Sequence, residues 1–206
     1  MGAKEVKPTR SELIELKKKI KLSEGGHKLL KMKRDGLILE FFEILSKAKD
    51  VRSELDAAYE KANVKIGIAE AVEGRITVKS TAFAMKDAPQ IELESHNIMG
   101  VVVPKIESSS VRKPINKRGY GLLGTSSYID EAVDSYEELV EKIILAAEIE
   151  TTMKKLLDDI EKTKRRVNAL EFKVIPELTE AMVFIRLRLE EMERENTFRL
   201  KRIKKA

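Results

Sequence analysis

The residues able to do chemistry in this chain are few and poorly placed for it. Histidine occurs only at His27 and His96, and there is no cysteine. Disulfides, iron–sulfur clusters and thiolate zinc sites are therefore excluded. A metal would have to be held by carboxylates, and no Asp/Glu/His spacing suggests such a site. Glu190, Glu191, Glu193 and Glu195 crowd together in sequence, but a helix turns about 100° per residue and scatters them around its surface. They read as a solvated face rather than a catalytic pair. Gly119-Tyr-Gly-Leu-Leu-Gly124 has the formal spacing of a dinucleotide-binding turn. That turn needs a buried strand before it and a helix N-terminus to take the pyrophosphate. Here Pro114 and Lys117-Arg118 precede it and a long charged helix pattern follows, so it reads as a loop ending at a helix cap. No nucleophile pairs defensibly with a base. The chain is expected to be non-catalytic, with no cofactor and no metal.

What remains is electrostatic. Forty Lys and Arg face 35 Asp and Glu, a net charge of +5. The excess is uneven: Lys17, Lys18, Lys19, Lys21, Lys28, Lys31, Lys33 and Arg34 form one cluster, and Arg199, Lys201, Arg202, Lys204 and Lys205 another. Such clusters suit an acidic protein surface or nucleic acid, against a plainer reading as a solvated face and a frayed tail. Aromatics make up only 5% of the chain and no nucleic-acid module appears, so nucleic acid is not an expected partner. No apolar run approaches the ~20 residues of a membrane span, and the N-terminus has no signal-peptide core. The chain is expected to be soluble, without membrane insertion.

The elements carrying these charges are long. Leu13, Leu16, Ile20, Ser23, His27, Leu30, Arg34, Leu37, Phe41, Ile44, Ala48, Val51, Leu55, Ala58 and Ala62 alternate by three and four, and all but Ser23, His27 and Arg34 are apolar. A sustained 3.5-residue repeat is the seam of a left-handed coiled coil. A helix from Thr9 to the mid-60s would span roughly 85 Å. Thr9-Arg-Ser-Glu12 has the form of a capping box. Gly25-Gly26 interrupts the pattern at about 1 kcal/mol per Gly, as a bend or a close helix crossing would. The pattern fades from Asn63 to Gly74.

Residues 75–125 differ. Arg75-Ile-Thr-Val-Lys79 reads as helix end or strand. Ile91-Glu-Leu-Glu94 and the β-branched run to Val103 predict a hairpin, with a turn at Ser95-His96-Asn97 and Pro104 closing it. The Ser/Gly/Lys/Arg-rich stretch from Ser108 to Gly124 reads as a mobile loop. A second helix is predicted from Ser127, capped by Ser127 with Asp130. Its stripe runs through Ala132, Tyr136, Leu139, Ile143, Ala146, Ile149, Met153, Leu156, Ile160, Thr163, Val167, Leu170, Val174, Leu178, Met182, Ile185, Leu189 and Met192. Pro176 should kink it locally. The expected fold is mainly α: a long antiparallel two-helix coiled coil (one discontinuous shaft) with a small β-hairpin-containing middle region. The segments are 1–74, an N-terminal helix; 75–125, hairpin and loop; and 126–206, a C-terminal helix. If paired residue numbers sum to about 200 to 207, Gly25-Gly26 lies opposite residues 175–182.

Five segments together resemble one family: Thr9-Arg-Ser-Glu-Leu, Leu29-Leu-Lys-Met-Lys-Arg-Asp-Gly-Leu37, Asn97-Ile-Met-Gly-Val-Val-Val-Pro104, Arg165-Arg-Val-Asn-Ala-Leu-Glu-Phe-Lys-Val-Ile-Pro-Glu-Leu178, and Leu189-Glu-Glu-Met-Glu-Arg-Glu-Asn-Thr-Phe-Arg-Leu-Lys-Arg-Ile-Lys204. In order and spacing they are similar to the D subunit of archaeal A-type and vacuolar V-type ATPases. The resemblance implies the central-stalk rotor of an ATP synthase or ion pump. Its partners would be the catalytic A and noncatalytic B subunits of the hexameric head, the small F subunit, and the adaptor C (or d) to the membrane ring. ATP turnover would occur on other subunits and couple to proton or sodium transport by rotation. The chain would be cytoplasmic, peripheral to the cell membrane. The basic residues Lys17, Lys18, Lys21, Lys28, Lys31, Arg34, Arg199, Lys201 and Arg202 are the candidate partner contacts, facing the head lining. A prefoldin-like chaperone or another coiled-coil binding module is the alternative.

Overall fold

A computed structural model describes residues 7–85, 91–108, 111–115, 118–121 and 124–205. The protein is mainly α. Helix α1 runs Arg10–Glu73 and α2 Arg75–Ala84; strands β1, Ile91–Ile98, and β2, Val101–Ser108, form an antiparallel hairpin. Helix α3, Ser127–Ala169, passes through a π turn, Leu170–Val174, into α4, Ile175–Lys205. The Thr9 half of the capping box forms: the Glu12 N–H donates to Thr9 Oγ1 at 3.3 Å, satisfying one orphan amide. Gly74, at φ 85°, separates α1 from α2, so Arg75 to Lys79 are helical rather than strand. The contacts divide the chain into two units, residues 1–38 with 159–206 and residues 39–158.

In the first unit, α1 and α4 run antiparallel. Leu16, Ala181 and Ile185 form the buried core, with Leu13, Leu178 and Leu189 packed on it. Arg10 meets Glu193 at 2.5 Å, His27 meets Glu171 at 3.4 Å and Lys33 meets Asp159 at 3.1 Å. His27 therefore lies level with the π turn, not with the segment after Pro176. A Cβ built on Gly25 or Gly26 would meet nothing within 4 Å, so the glycines do not mark a close crossing. Beside Pro176 the irregularity is the π turn itself, in which the Ile175 N–H reaches back five residues to the Leu170 carbonyl. Proline has no N–H for the carbonyl four residues back and its ring crowds that group; one widened turn absorbs both defects.

In the second unit, α1 packs on α3 through small residues. Ala58 and Ala62 bury against Leu139, with Leu55 and Tyr136 alongside. Ala69 buries against Ile129 and Ala132, and Val78 of α2 joins them. Four ion pairs bridge the two helices: Arg52–Glu150, Lys142–Glu54, Lys61–Glu138 and Lys65–Glu131. Every stripe position predicted on α1 is buried or half-buried, and on α3–α4 all are except Ile143 and Met192. Ile144 is buried instead of Ile143.

The hairpin turn is Met99-Gly100, not Ser95 to Asn97. Both turn residues have positive φ, 50° and 88°, the geometry that matches strand twist. The Gly100 N–H donates to Asn97 Oδ1 at 2.8 Å. Ser95, His96 and Asn97 belong to β1, and Pro104 lies within β2 opposite Ser95. Ser127 is the first residue of α3, no side-chain hydrogen bond joins it to Asp130 among the described residues, and the Asp130 carboxylate accepts from the Tyr120 hydroxyl.

Candidate functional site

The described part of the loop before α3 is docked rather than mobile. Val111, Arg118 and Tyr120 are buried. Arg118, with a side chain only 4% exposed, donates from Nη2 to Asp134 and to Glu137 Oε2, the latter at 3.0 Å, and from Nε to the Lys113 carbonyl at 3.2 Å. The Lys113 N–H also reaches Glu137 Oε2, at 3.4 Å. The Tyr120 hydroxyl donates to Asp130. Gly119, at φ 86°, sits so close to the end of α2 that a Cβ would come within 3.3 Å of the Ala84 carbonyl oxygen. Glycine is therefore favoured there on two counts. Burial alone would depress the Arg118 pKa. The Asp134 hydrogen bond, the Tyr120 hydroxyl and the Glu137 charge outweigh it and leave the guanidinium raised. Burial raises the Tyr120 phenol, reinforced by its bond to Asp130 and opposed by Arg118. This is a structural clamp, and the glycine motif is the loop it fastens. Leu122 and Leu123 of that motif lie outside the described residues.

The hairpin is held to α3 from the β2 side. The Ile106 N–H donates to Glu148 Oε2 at 3.2 Å, and Lys155 Nζ donates to the Val102 carbonyl at 3.1 Å.

The basic residues belong to the first unit. Lys17, Lys18, Lys21, Lys28 and Lys31 are exposed, with no ion pair among the described residues. Lys17, Lys21, Lys28 and Lys31 fall on one flank of α1 at about 100° per residue, with Glu24 among them; Lys18 lies on the next flank. Arg34 is half-buried at a seam position and forks onto Asp35, with Nε at 3.0 Å and Nη2 at 2.7 Å. Arg199 stands 3.7 Å from Glu195, and Lys201 lies 5.9 Å from the centre of the Phe198 ring. From Glu191 to Lys205 α4 is exposed all round, so Arg199, Lys201 and Arg202 sit on a solvated end beyond the Arg10–Glu193 pair. The structure thus groups the lysines of α1 on a flank and leaves the C-terminal cations on a separate helix end. Sequence reasoning missed Arg118, Tyr120 and Glu137. A tyrosine between two glycines, with a cation just before them and an acidic helix after, is a signal too general to single them out.

Among the described residues, no cluster of three or more His, Asp or Glu is arranged to hold a metal ion. Among the described residues no helix is long and apolar enough to cross a membrane. Residues 12–205 match the model of the family described as the D subunit of ATP synthase. The chain belongs to that family. It is 98% identical over 206 residues to the A-type ATP synthase D subunit of Methanococcoides burtonii, covering the whole of both chains. It is 74% identical over 204 residues to that of Methanosarcina acetivorans, covering 99% of this chain and 98% of the relative. It is 57% identical over 202 residues to that of Haloarcula marismortui, covering 98% and 88% respectively.

Proposed function

We propose that this chain is the central-stalk rotor of an A-type ATP synthase, carrying torque between the A/B head and the membrane ring that moves protons or sodium. The observation that supports it most directly is the seam: fifteen consecutive three-and-four-spaced positions of α1, all withdrawn from solvent, in a chain from the family of ATP synthase D subunits. A torque-bearing element must resist bending and twisting, and continuous knobs-into-holes packing supplies both. The chain is non-catalytic in this reading, with ATP turned over on the A and B subunits. The F subunit and the adaptor C complete its partners, and attachment to the membrane is peripheral.

The lysine flank of α1 faces the head lining in this reading. Reconstitution with A, B and F subunits tests it, using a Lys17→Glu, Lys21→Glu, Lys28→Glu, Lys31→Glu chain beside the unaltered one. The altered chain should keep its helicity yet lose coupled rotation or assembly, with the defect changing steeply between low and high salt. Normal assembly and rotation at every salt concentration would refute the head-facing assignment. Failure of the unaltered chain to join any A/B complex would refute the rotor reading.

A further inference from the structure

Strand β1 is the least protected element of the second unit. All of its residues but Ile98 are exposed. The hairpin has only two strands, and β2 turns its other edge to α3, where Glu148 takes the Ile106 N–H and Lys155 the Val102 carbonyl. Those two contacts fix the direction of every peptide in the ladder. Val102, Pro104 and Ile106 point away from β1, so Asn97, Ser95 and Leu93, their register partners, point away from β2. Pro104 agrees, since its missing N–H falls where no ladder bond is made. The N–H and C=O groups of Leu93, Ser95 and Asn97 therefore line an open edge, and no backbone group pairs with them among the described residues.

The two faces beside that edge differ in chemistry. One carries Ile91 and Leu93, continued on β2 by Val102, Pro104 and Ile106; Leu93 is 72% exposed and Val102 56%. The other carries Glu92, Glu94 and His96 on β1, all exposed, and neither carboxylate has an ion pair among the described residues. Natural edge strands are commonly blunted by Lys, Pro or a bulge. β1 has none of these and only carboxylates in their place. Those carboxylates disfavour a second copy in two registers: antiparallel pairing centred on Leu93 sets Glu92 against Glu94, and pairing centred on Glu94 sets that residue against itself.

We propose that the open edge of β1 is a docking site for an extended segment of another polypeptide in which Lys or Arg alternates with Val, Ile or Leu. Such a segment adds a third strand to the sheet, its backbone taking the free groups of Leu93, Ser95 and Asn97. Its apolar residues extend the Leu93–Val102 face, and its cations meet Glu92 and Glu94. A third strand also relieves the weakness of an isolated two-stranded hairpin. This inference does not rest on the rotor reading.

The test uses the full chain and two labelled octapeptides, one alternating Lys with Val and the other Glu with Val, read by fluorescence anisotropy and amide hydrogen exchange. The Lys/Val peptide should bind at least about tenfold more tightly and slow exchange at Leu93, Ser95 and Asn97. Leu93→Pro removes an outward N–H without touching the ladder and should weaken binding about tenfold or more. Retained protection of the His96 and Val103 amides would show the hairpin intact. The double variant Glu92→Lys, Glu94→Lys leaves the backbone unaltered and should reverse the peptide preference. Equal binding of both peptides, no binding at millimolar concentration, or protection that avoids β1 would each overturn the proposal.

Discussion

The Arg118 clamp separates two ideas of what makes an ion pair matter. Asp134 and Glu137 accept hydrogen bonds from the same Nη2 atom, so contact geometry alone ranks them together. Their surroundings do not: the Asp134 side chain is 64% exposed and that of Glu137 is 14% exposed. Glu137→Ala removes a buried hydrogen bond to a charged group, worth about 1.5–3 kcal/mol, and leaves the Lys113 amide with one acceptor fewer. Removing one member of a buried pair outright costs about 3–5 kcal/mol, but Asp134 still answers the charge here. The expected loss for Glu137→Ala is about 2–3 kcal/mol. Asp134→Ala removes a solvated partner and should cost about 1 kcal/mol or less. Urea denaturation gives the difference between the two, and hydrogen exchange at residues 118–121 shows whether the loop detaches. An Asp134→Ala loss as large as that of Glu137→Ala would refute the argument that burial, not contact, sets the energy. The double change Arg118→Met, Glu137→Leu adds a control, since apolar replacement of both partners should restore much of the loss.

Two further outcomes follow from the same structure. The Tyr120 phenol is raised above its ordinary value of 10.0 by burial and by its bond to Asp130. The folded state therefore holds this proton longer than the unfolded chain does. Its contribution to stability is complete below pH 10 and is lost as the pH rises through the folded value. Absorbance near 295 nm should show a phenol ionising above the ordinary value; Tyr120→Phe should remove that late step, and a late step that persists would refute the assignment. At the π turn, Pro176→Ala should change stability by less than about 1 kcal/mol, because the widened turn already accommodates the missing donor, whereas proline in an undistorted helix costs about 3 kcal/mol. A gain of that size on thermal or guanidinium unfolding would show that the π turn does not absorb the defect.

How far the sequence could be read depended on whether an element's logic was periodic or distant. The α1 seam was legible position by position, even at Ser23, His27 and Arg34, because the pattern on either side carries polar members into place. Ile143 was misplaced where the repeat compresses, and its neighbour Ile144 is the buried residue. There α3 serves two surfaces, α1 and the hairpin with its loop, which a single stripe does not encode. The turn was missed because Met99 at φ 50° is an unusual occupant of a position that favours Asn or Gly. The docked loop was missed because Arg118 draws its partners from a helix 16 and 19 residues onward. Pro176 was read as a local defect in the ladder, but the π turn that accompanies it was not, because the form the defect takes depends on the packing around it.

The two helix-paired units also solve the pairing problem differently, and this bears on what the charges are for. The core of the first unit centres on Leu16, Ala181 and Ile185, with two cross-helix ion pairs and the His27–Glu171 contact; that of the second sets Ala58, Ala62, Ala69 and Ala132 against Leu139 and Ile129, with four ion pairs. Alanine lets helix axes approach but buries less apolar area per residue, so register is less strongly enforced by side-chain shape in the second unit. Exposed ion pairs add little stability each, about 0–1 kcal/mol, yet a slip of one helix along the other would set several of them against like charge. Glu138 illustrates this: the hydrogen bond from Lys61 and then its charge, aided by Lys142 and Arg112, hold the carboxyl below its ordinary value. The charges bridging the helices thus help to fix alignment where alanine enforces it less, whereas the lysines on the α1 flank have no ion-pair partners among the described residues.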